Sequence, residues 1–164
     1  MRLPDGSGFA RQRGKERFYR RRLPHWRIDA PLVTYFVTWR LEKRHSDLLP
    51  RERDIVAAVI KFWDGARCRL SCWVVMNDHV HVVVAPLADV RLEQLLHSWK
   101  SFSAHRLMAE GRQAPAWQHE SFDRIIRSDE ELVRTIQYVC SNPLKRWPEL
   151  TEYRWVWPEL RRLA

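Results

Sequence analysis

Apolar and polar residues follow two different periods along the chain, and these periods separate strands from helices. The β-branched and aromatic run at 32–40, LVTYFVTWR, predicts a first strand. Two more strands are predicted at 67–76 and 79–85, joined by a tight turn at 77–78 that is typical of a hairpin. A short fourth strand is predicted at 122–126.

Three helices are predicted from apolar residues at helical spacing. They cover 54–63, the amphipathic segment 90–110 and the segment from Ser128 to about Asn142. The last of these opens with Ser128-Asp129-Glu130-Glu131, a pattern typical of a capping box with Ser128 as the cap. Pro143 marks the end of the third helix, because proline disfavours α geometry in the residue before it. The resulting order, β-α-β-β-α-β-α, predicts an α+β, ferredoxin-like fold, an antiparallel sheet with helices packed on one face.

Length and composition favour one domain with flanking segments. The chain has 164 residues, 45% of them hydrophobic and only five Gly, enough for one buried core but short for two. We divide it into an arm at 1–30, a central domain at 31–143 and a Trp- and Arg-containing tail at 144–164. The three cysteines fit no metal-binding or redox spacing, and no segment resembles a signal peptide or membrane span. A cytoplasmic protein with no membrane partner is therefore expected.

The charge indicates a polyanionic partner. The formal net charge is +9, and residues 1–30 hold +6 of it, from nine Lys/Arg against three Asp/Glu. Each phosphate that Lys or Arg neutralises releases counterions, which favours nucleic-acid binding, although a solvated arm and solvated surface charges are the alternative interpretation. The candidate nucleic-acid contacts are Arg20, Arg21, Arg22, Trp26, Lys100, Arg106, Arg124 and Arg127.

The motif His79-Val80-His81 is the first candidate for chemistry. Side chains alternate on a strand, so both His point to one face, roughly 7 Å apart, while Val80 points to the other. Imidazole is a good ligand for Mn, Zn or similar cations. The motif alone is a weak signal, since paired His on a half-exposed strand are more often ordinary surface residues. Asp78 is either an extra ligand or, more simply, a turn residue.

Tyr138 and Asn142 are the second candidate. Their four-residue spacing places both on one side of the last predicted helix. A lone helical Tyr usually packs its ring and leaves its hydroxyl at the surface, and Asn142 can simply end the helix. Spacing alone does not connect this pair to the two His.

Longer stretches of sequence do connect them. RRRLPHW, TYFVTWRL, WVVMNDHVHVVV, LLHSWKSFSAHRL and WQHESFDRIIRSDEELVRTIQYVCSNPLK together resemble the REP-associated tyrosine transposases, members of the HUH single-strand transposase superfamily. The resemblance spans roughly residues 18 to 158. It implies a bacterial, nucleoid-associated protein whose residues 31–143 form the HUH catalytic domain. Both monomers and homodimers occur among such proteins, and the sequence favours neither.

The resemblance also implies roles for single residues. His79 and His81 match the metal ligands, Tyr138 the nucleophile and Asn142 a further polar ligand, for which some relatives have Gln. The implied activity is metal-dependent cleavage and transfer of single-stranded DNA beside REP-like hairpins, with Mg²⁺ or Mn²⁺ and a 5′-phosphotyrosine intermediate. The main alternative is a catalytically silent DNA- or RNA-hairpin-binding protein of the same ancestry. A third possibility is a metal-dependent phosphoesterase in which the two His activate water. The sequence lacks the cluster of carboxylates or additional His that two-metal sites of this kind usually show.

Overall fold

Five strands form one antiparallel sheet in the computed structural model, which describes residues 32–87 and 89–158. The strands are β1 Tyr35–Leu41, β2 Cys68–Val75, β3 His79–Pro86, β4 Trp117–Ile125 and β5 Val156–Trp157. Their order in the sheet is β4-β1-β3-β2-β5, so β4 and β5 form its two edges. The helices are α1 Pro50–Phe62, α2 Leu92–Ala109, α3 Asp129–Cys140 and α4 Asn142–Arg146. The predicted α+β, ferredoxin-like class is confirmed.

The two faces of the sheet carry different helices. Helices α1 and α2 cover the face that we call the core face, where Trp39 of β1 stacks on Trp99 of α2 with ring centroids 5.9 Å apart. These two helices lie on one face, as predicted. Helix α3 packs on the opposite face, here called the α3 face, where Val139 joins Phe36 and Val83 in a second cluster. The prediction of helices on one face therefore does not hold for α3, because an amphipathic pattern shows that a helix packs on a sheet but not on which side.

Several elements differ in extent from the predicted ones. Strand β4 begins at Trp117 rather than near residue 122, because its pairing with β1 continues past a register shift between Trp39 and Leu41. The segment interpreted as a tail supplies β5, which pairs with β2, and it also carries the buried Tyr153. A two-residue strand is too short to leave a periodic signal in the sequence. In the described ranges, no helix is long and apolar enough to cross a membrane.

Candidate metal and nucleophile site

The two histidines of β3 share the α3 face. Val80 between them is fully buried in the core-face cluster, so the alternation of the strand turns His79 and His81 the other way. Their ring centroids are 4.7 Å apart, with an interplanar angle of 70°. The hairpin turn preceding β3 is closed by the Met76 N–H, which donates to the carbonyl of His79 at 2.8 Å.

Each imidazole is bonded through its Nδ1 atom. His79 Nδ1 lies 2.6 Å from Asp78 Oδ1, and His81 Nδ1 lies 2.6 Å from Thr38 Oγ1 on the neighbouring strand. When these Nδ1 atoms carry the proton, both Nε2 lone pairs are available, which is the arrangement usual in metal-binding His. Asp78 therefore contacts His79 and orients its ring. The sequence had suggested an extra metal ligand or a turn residue for Asp78, and neither interpretation included this role.

Burial keeps His81 uncharged. Only 5% of this residue is exposed. Burial lowers the pKa of His81 to about 3, and the nearby charges of His79, Arg40 and Lys145 act in the same direction. A neutral imidazole is the form that binds a metal.

Tyr138 lies directly beside this pair. Its ring makes an edge contact with His81, with centroids 5.5 Å apart, and a second edge contact with Phe36 at 6.0 Å. Phe36 in turn stacks on His81 at 5.3 Å. Tyr138 is 43% exposed, so a ligand from solution can reach it.

Helix α3 is placed by its cap and by polar contacts with the sheet. Ser128 caps its start by accepting a hydrogen bond from the Glu131 N–H at 3.1 Å, as predicted from the sequence. Arg124 of β4 pairs with Glu131 and donates to Thr135 Oγ1 at 3.2 Å. These contacts hold the helix that carries Tyr138 against the α3 face.

Asn142 does not continue the helix of Tyr138, contrary to prediction. Helix α3 ends at Cys140, and Asn142 opens the short α4, with Pro143 in its first turn. The reason is that proline lacks an N–H and can start a helix more easily than it can continue one. Asn142 is nonetheless buried, and it lines a pocket of about 240 Å³ together with His79.

His79 and Asn142 line this pocket and His81 contacts His79, and the chemistry of these three donors suits a divalent cation. His79 and His81 offer Nε2 atoms and Asn142 an amide oxygen, which suit metals of the Mn or Zn type through nitrogen and Mg through oxygen. Across residues 32–87 and 89–158, no group of three or more His, Cys, Asp or Glu could hold a metal ion. A site here would therefore depend on the amide as its third protein ligand.

Lys145 belongs to this site although the sequence patterns did not single it out. Its Nζ lies 4.0 Å from the centroid of the Tyr138 ring, and its side chain lines the same pocket as His79 and Asn142. The feature of the sequence that could have indicated Lys145 is its spacing of seven residues from Tyr138. Thr38 was missed as well, because only the pairing register of β1 with β3 places it opposite His81.

The candidate nucleic-acid contacts lie in different surroundings. Lys100 donates to the carbonyls of Gln118 at 2.7 Å and His119 at 2.9 Å, so it links α2 to β4, and burial lowers its pKa. Arg124 pairs with Glu131, as described above. Arg106 and Arg127 have exposed side chains. The remaining candidates, Arg20, Arg21, Arg22 and Trp26, lie outside the described residues.

A ferredoxin-like sheet with a tyrosine-bearing helix over two paired His matches what the sequence resemblance implies. Residues 30–141 match the family described as "Transposase IS200 like", and the chain belongs to this family. The membership expected from the sequence is thereby confirmed, and the chain is a DNA-binding transposase by class.

Two solved structures share the fold. One is a REP-associated tyrosine transposase bound to a REP hairpin, with a TM-score of 0.65 and 20% identity over 77% of each chain. The other is a protein from Deinococcus radiodurans R1 assigned as a transposase, with a TM-score of 0.52 and 18% identity. That match covers 67% of this chain and 90% of the other. No curated protein sequence is significantly similar to the chain.

Proposed function

We propose that this transposase cleaves single-stranded DNA beside REP-like hairpins and transfers the cut strand, with Tyr138 as its nucleophile. One observation carries the proposal. An exposed tyrosine is in ring contact with one of two paired imidazoles, and both imidazoles are bonded through Nδ1. Membership of a transposase family supports the same interpretation.

His79, His81 and Asn142 are the residues that would hold a divalent cation, Mg²⁺ or Mn²⁺. When bound, such a cation polarises phosphoryl oxygens and stabilises their developing negative charge. Asp78 and Thr38 fix the two imidazoles so that each Nε2 is presented as a ligand atom.

Tyr138 performs the covalent step. Its Oη forms a bond to the phosphorus, the bond from phosphorus to the 3′ oxygen breaks, the phenolic proton passes to solvent and the departing 3′ oxygen takes up a proton. The product is a 5′-phosphotyrosine link, which is still a phosphodiester. A second 3′ hydroxyl can therefore attack it and regenerate Tyr138 without ATP, which is strand transfer rather than hydrolysis.

Lys145 assists in two ways. Its ammonium group lies over the Tyr138 ring, a cation–π contact that holds the ring in place. Because its side chain also lines the pocket with His79, the same charge is available to a phosphate bound there.

A DNA hairpin is the proposed partner for two reasons. One protein of the same fold was solved bound to a REP hairpin. The net charge of +9 favours a polyanion, and most of it is concentrated in residues 1–30.

The deciding experiment looks for DNA covalently attached to the protein. Wild-type protein and Tyr138→Phe are incubated with labelled, hairpin-flanked single-stranded DNA and Mn²⁺ or Mg²⁺, and adducts are resolved on a denaturing gel. Tyr35→Phe is the matched control, because Tyr35 packs with the core-face cluster. We expect a metal-dependent adduct from the wild type and the control but none from Tyr138→Phe. Tight hairpin binding without any adduct would instead support the silent hairpin-binding protein.

A further inference from the structure

Phe122 of β4 lies on the α3 face, in line with the candidate site. Thr38 of β1 is the register partner of both Phe122 and His81, so the three residues form one row across β4, β1 and β3. Two strand spacings separate Phe122 from His81, a distance of about 10 Å between backbones. Phe122 is 39% exposed although its strand is part of the sheet.

Phe122 is also part of the aromatic cluster that contains the nucleophile. Phe36 lies at the centre of this cluster, where it contacts His81 and Tyr138, and Phe122 makes an edge contact with it at 6.4 Å. Exposed apolar residues are common on protein surfaces and mean little singly. Phe62 and Phe102 are more exposed than Phe122, but they belong to α1 and α2, which cover the other face.

Two arginines lie on the strands that carry this aromatic cluster. Arg124 follows two residues later on β4, and its guanidinium lies 5.4 Å from the centroid of Phe36. Arg40 is two residues beyond Thr38 on β1, has a 53% exposed side chain and is the register partner of His79. Ion pairs with Glu131 and Asp78 hold the two arginines in place. An exposed aromatic ring on strands that also carry cations suits a nucleic-acid base together with its phosphates.

We infer that Phe122 is a stacking platform for the base of a nucleotide that flanks the cleaved phosphate. The inference rests on the proposed function, because it takes the scissile phosphate to lie at Tyr138 and His81. From that point the sugar and base of an adjoining nucleotide can span the distance to β4. The platform recognises the π-face of a base, so it holds the strand without selecting its sequence.

The test separates base stacking from phosphate binding. The full chain carries Tyr138→Phe so that the probe stays intact, and fluorescence anisotropy reports its binding. One probe is a DNA hairpin with a single-stranded thymidine tail, and the other has an abasic tail with the same number of phosphates. We expect Phe122→Ala to weaken binding of the thymidine probe about 5- to 150-fold and to leave binding of the abasic probe unchanged.

Further variants keep the outcome clear. Phe122→Leu preserves apolar bulk against Phe36 and should still lose affinity for the thymidine probe, whereas Phe122→Trp should keep it. Phe102→Ala, at an exposed Phe of α2, should change neither affinity. Equal losses on both probes, or no loss on either, would overturn the platform. Because binding is measured without cleavage, a wild type that forms no adduct would count against the proposed function and not against this result.

Discussion

The hydroxyl of Thr38 should determine how well His81 binds a metal. Thr38→Val removes this hydroxyl at nearly constant volume and leaves His81 Nδ1 without its partner at 2.6 Å. The imidazole can then place its proton on Nε2, the atom needed for the metal. We therefore expect weaker metal binding and slower adduct formation without loss of the fold.

Two independent estimates give the size of the effect. Leaving one partly buried polar group without its partner costs about 1–3 kcal/mol, which corresponds to roughly 5- to 150-fold in an equilibrium constant. Removing a hydrogen-bond partner of a metal-binding His typically costs about 10- to 100-fold in metal affinity or activity. The two ranges overlap, so we expect a loss of about 10- to 100-fold in Mn²⁺ affinity.

Calorimetric titration with Mn²⁺ measures the affinity, and single-turnover adduct formation at rising Mn²⁺ measures the activity. Ser103→Ala is the matched control, since the Ser103 hydroxyl is also buried but bonds to Trp99 and Trp117 on the core side. It should lose comparable stability and keep its Mn²⁺ affinity. If Thr38→Val bound Mn²⁺ as tightly as the wild type, the assigned role of the hydroxyl would be wrong.

Three further predictions concern charged groups. Lys145→Met should slow adduct formation roughly 10- to 100-fold, while Lys61→Met, which removes another cation near an aromatic ring, should not; equal rates in both variants would contradict the role of Lys145. Glu52→Gln should lower the free energy of unfolding by about 3–5 kcal/mol in urea titrations, because it breaks the buried pair with Arg112; a change below 1 kcal/mol would refute this. Burial alone would raise the pKa of Glu52, but hydrogen bonds, chiefly from Arg112, leave this pKa below its usual 4.5. The stabilisation from the ionised carboxylate is therefore present above pH 4.5 and is lost as the pH falls further. This pH dependence should be absent from Glu52→Gln. Deleting residues 1–30 should weaken hairpin binding and flatten its salt dependence, and an unchanged slope of log Kd against log salt would exclude a contact by this arm.

The sequence predicted those parts of the site that depend on local periodicity. Alternation along one strand was enough to place His79 and His81 on a common face, and the Ser128 cap correctly marked the start of the tyrosine helix. It could not place Thr38 opposite His81, because that contact depends on which strands pair and in what register. The sequence also placed Asn142 at the end of the tyrosine helix, whereas this residue begins the next one. A proline after Asn142 is compatible both with the end of one helix and with the start of another.

The position of the two His is determined largely by residues that perform no chemistry. Val80, Val82 and Val84 alternate with them along β3 and are fully buried in the core-face cluster. Burying each valine contributes roughly 1.5–3 kcal/mol, and a shift of the strand by one residue would take all three out of the core-face cluster and turn both His into it. The register of β3 is therefore fixed by the stability of the core. Because the register fixes the direction of each side chain, the packing on one face of the sheet determines the position of the candidate metal ligands on the other.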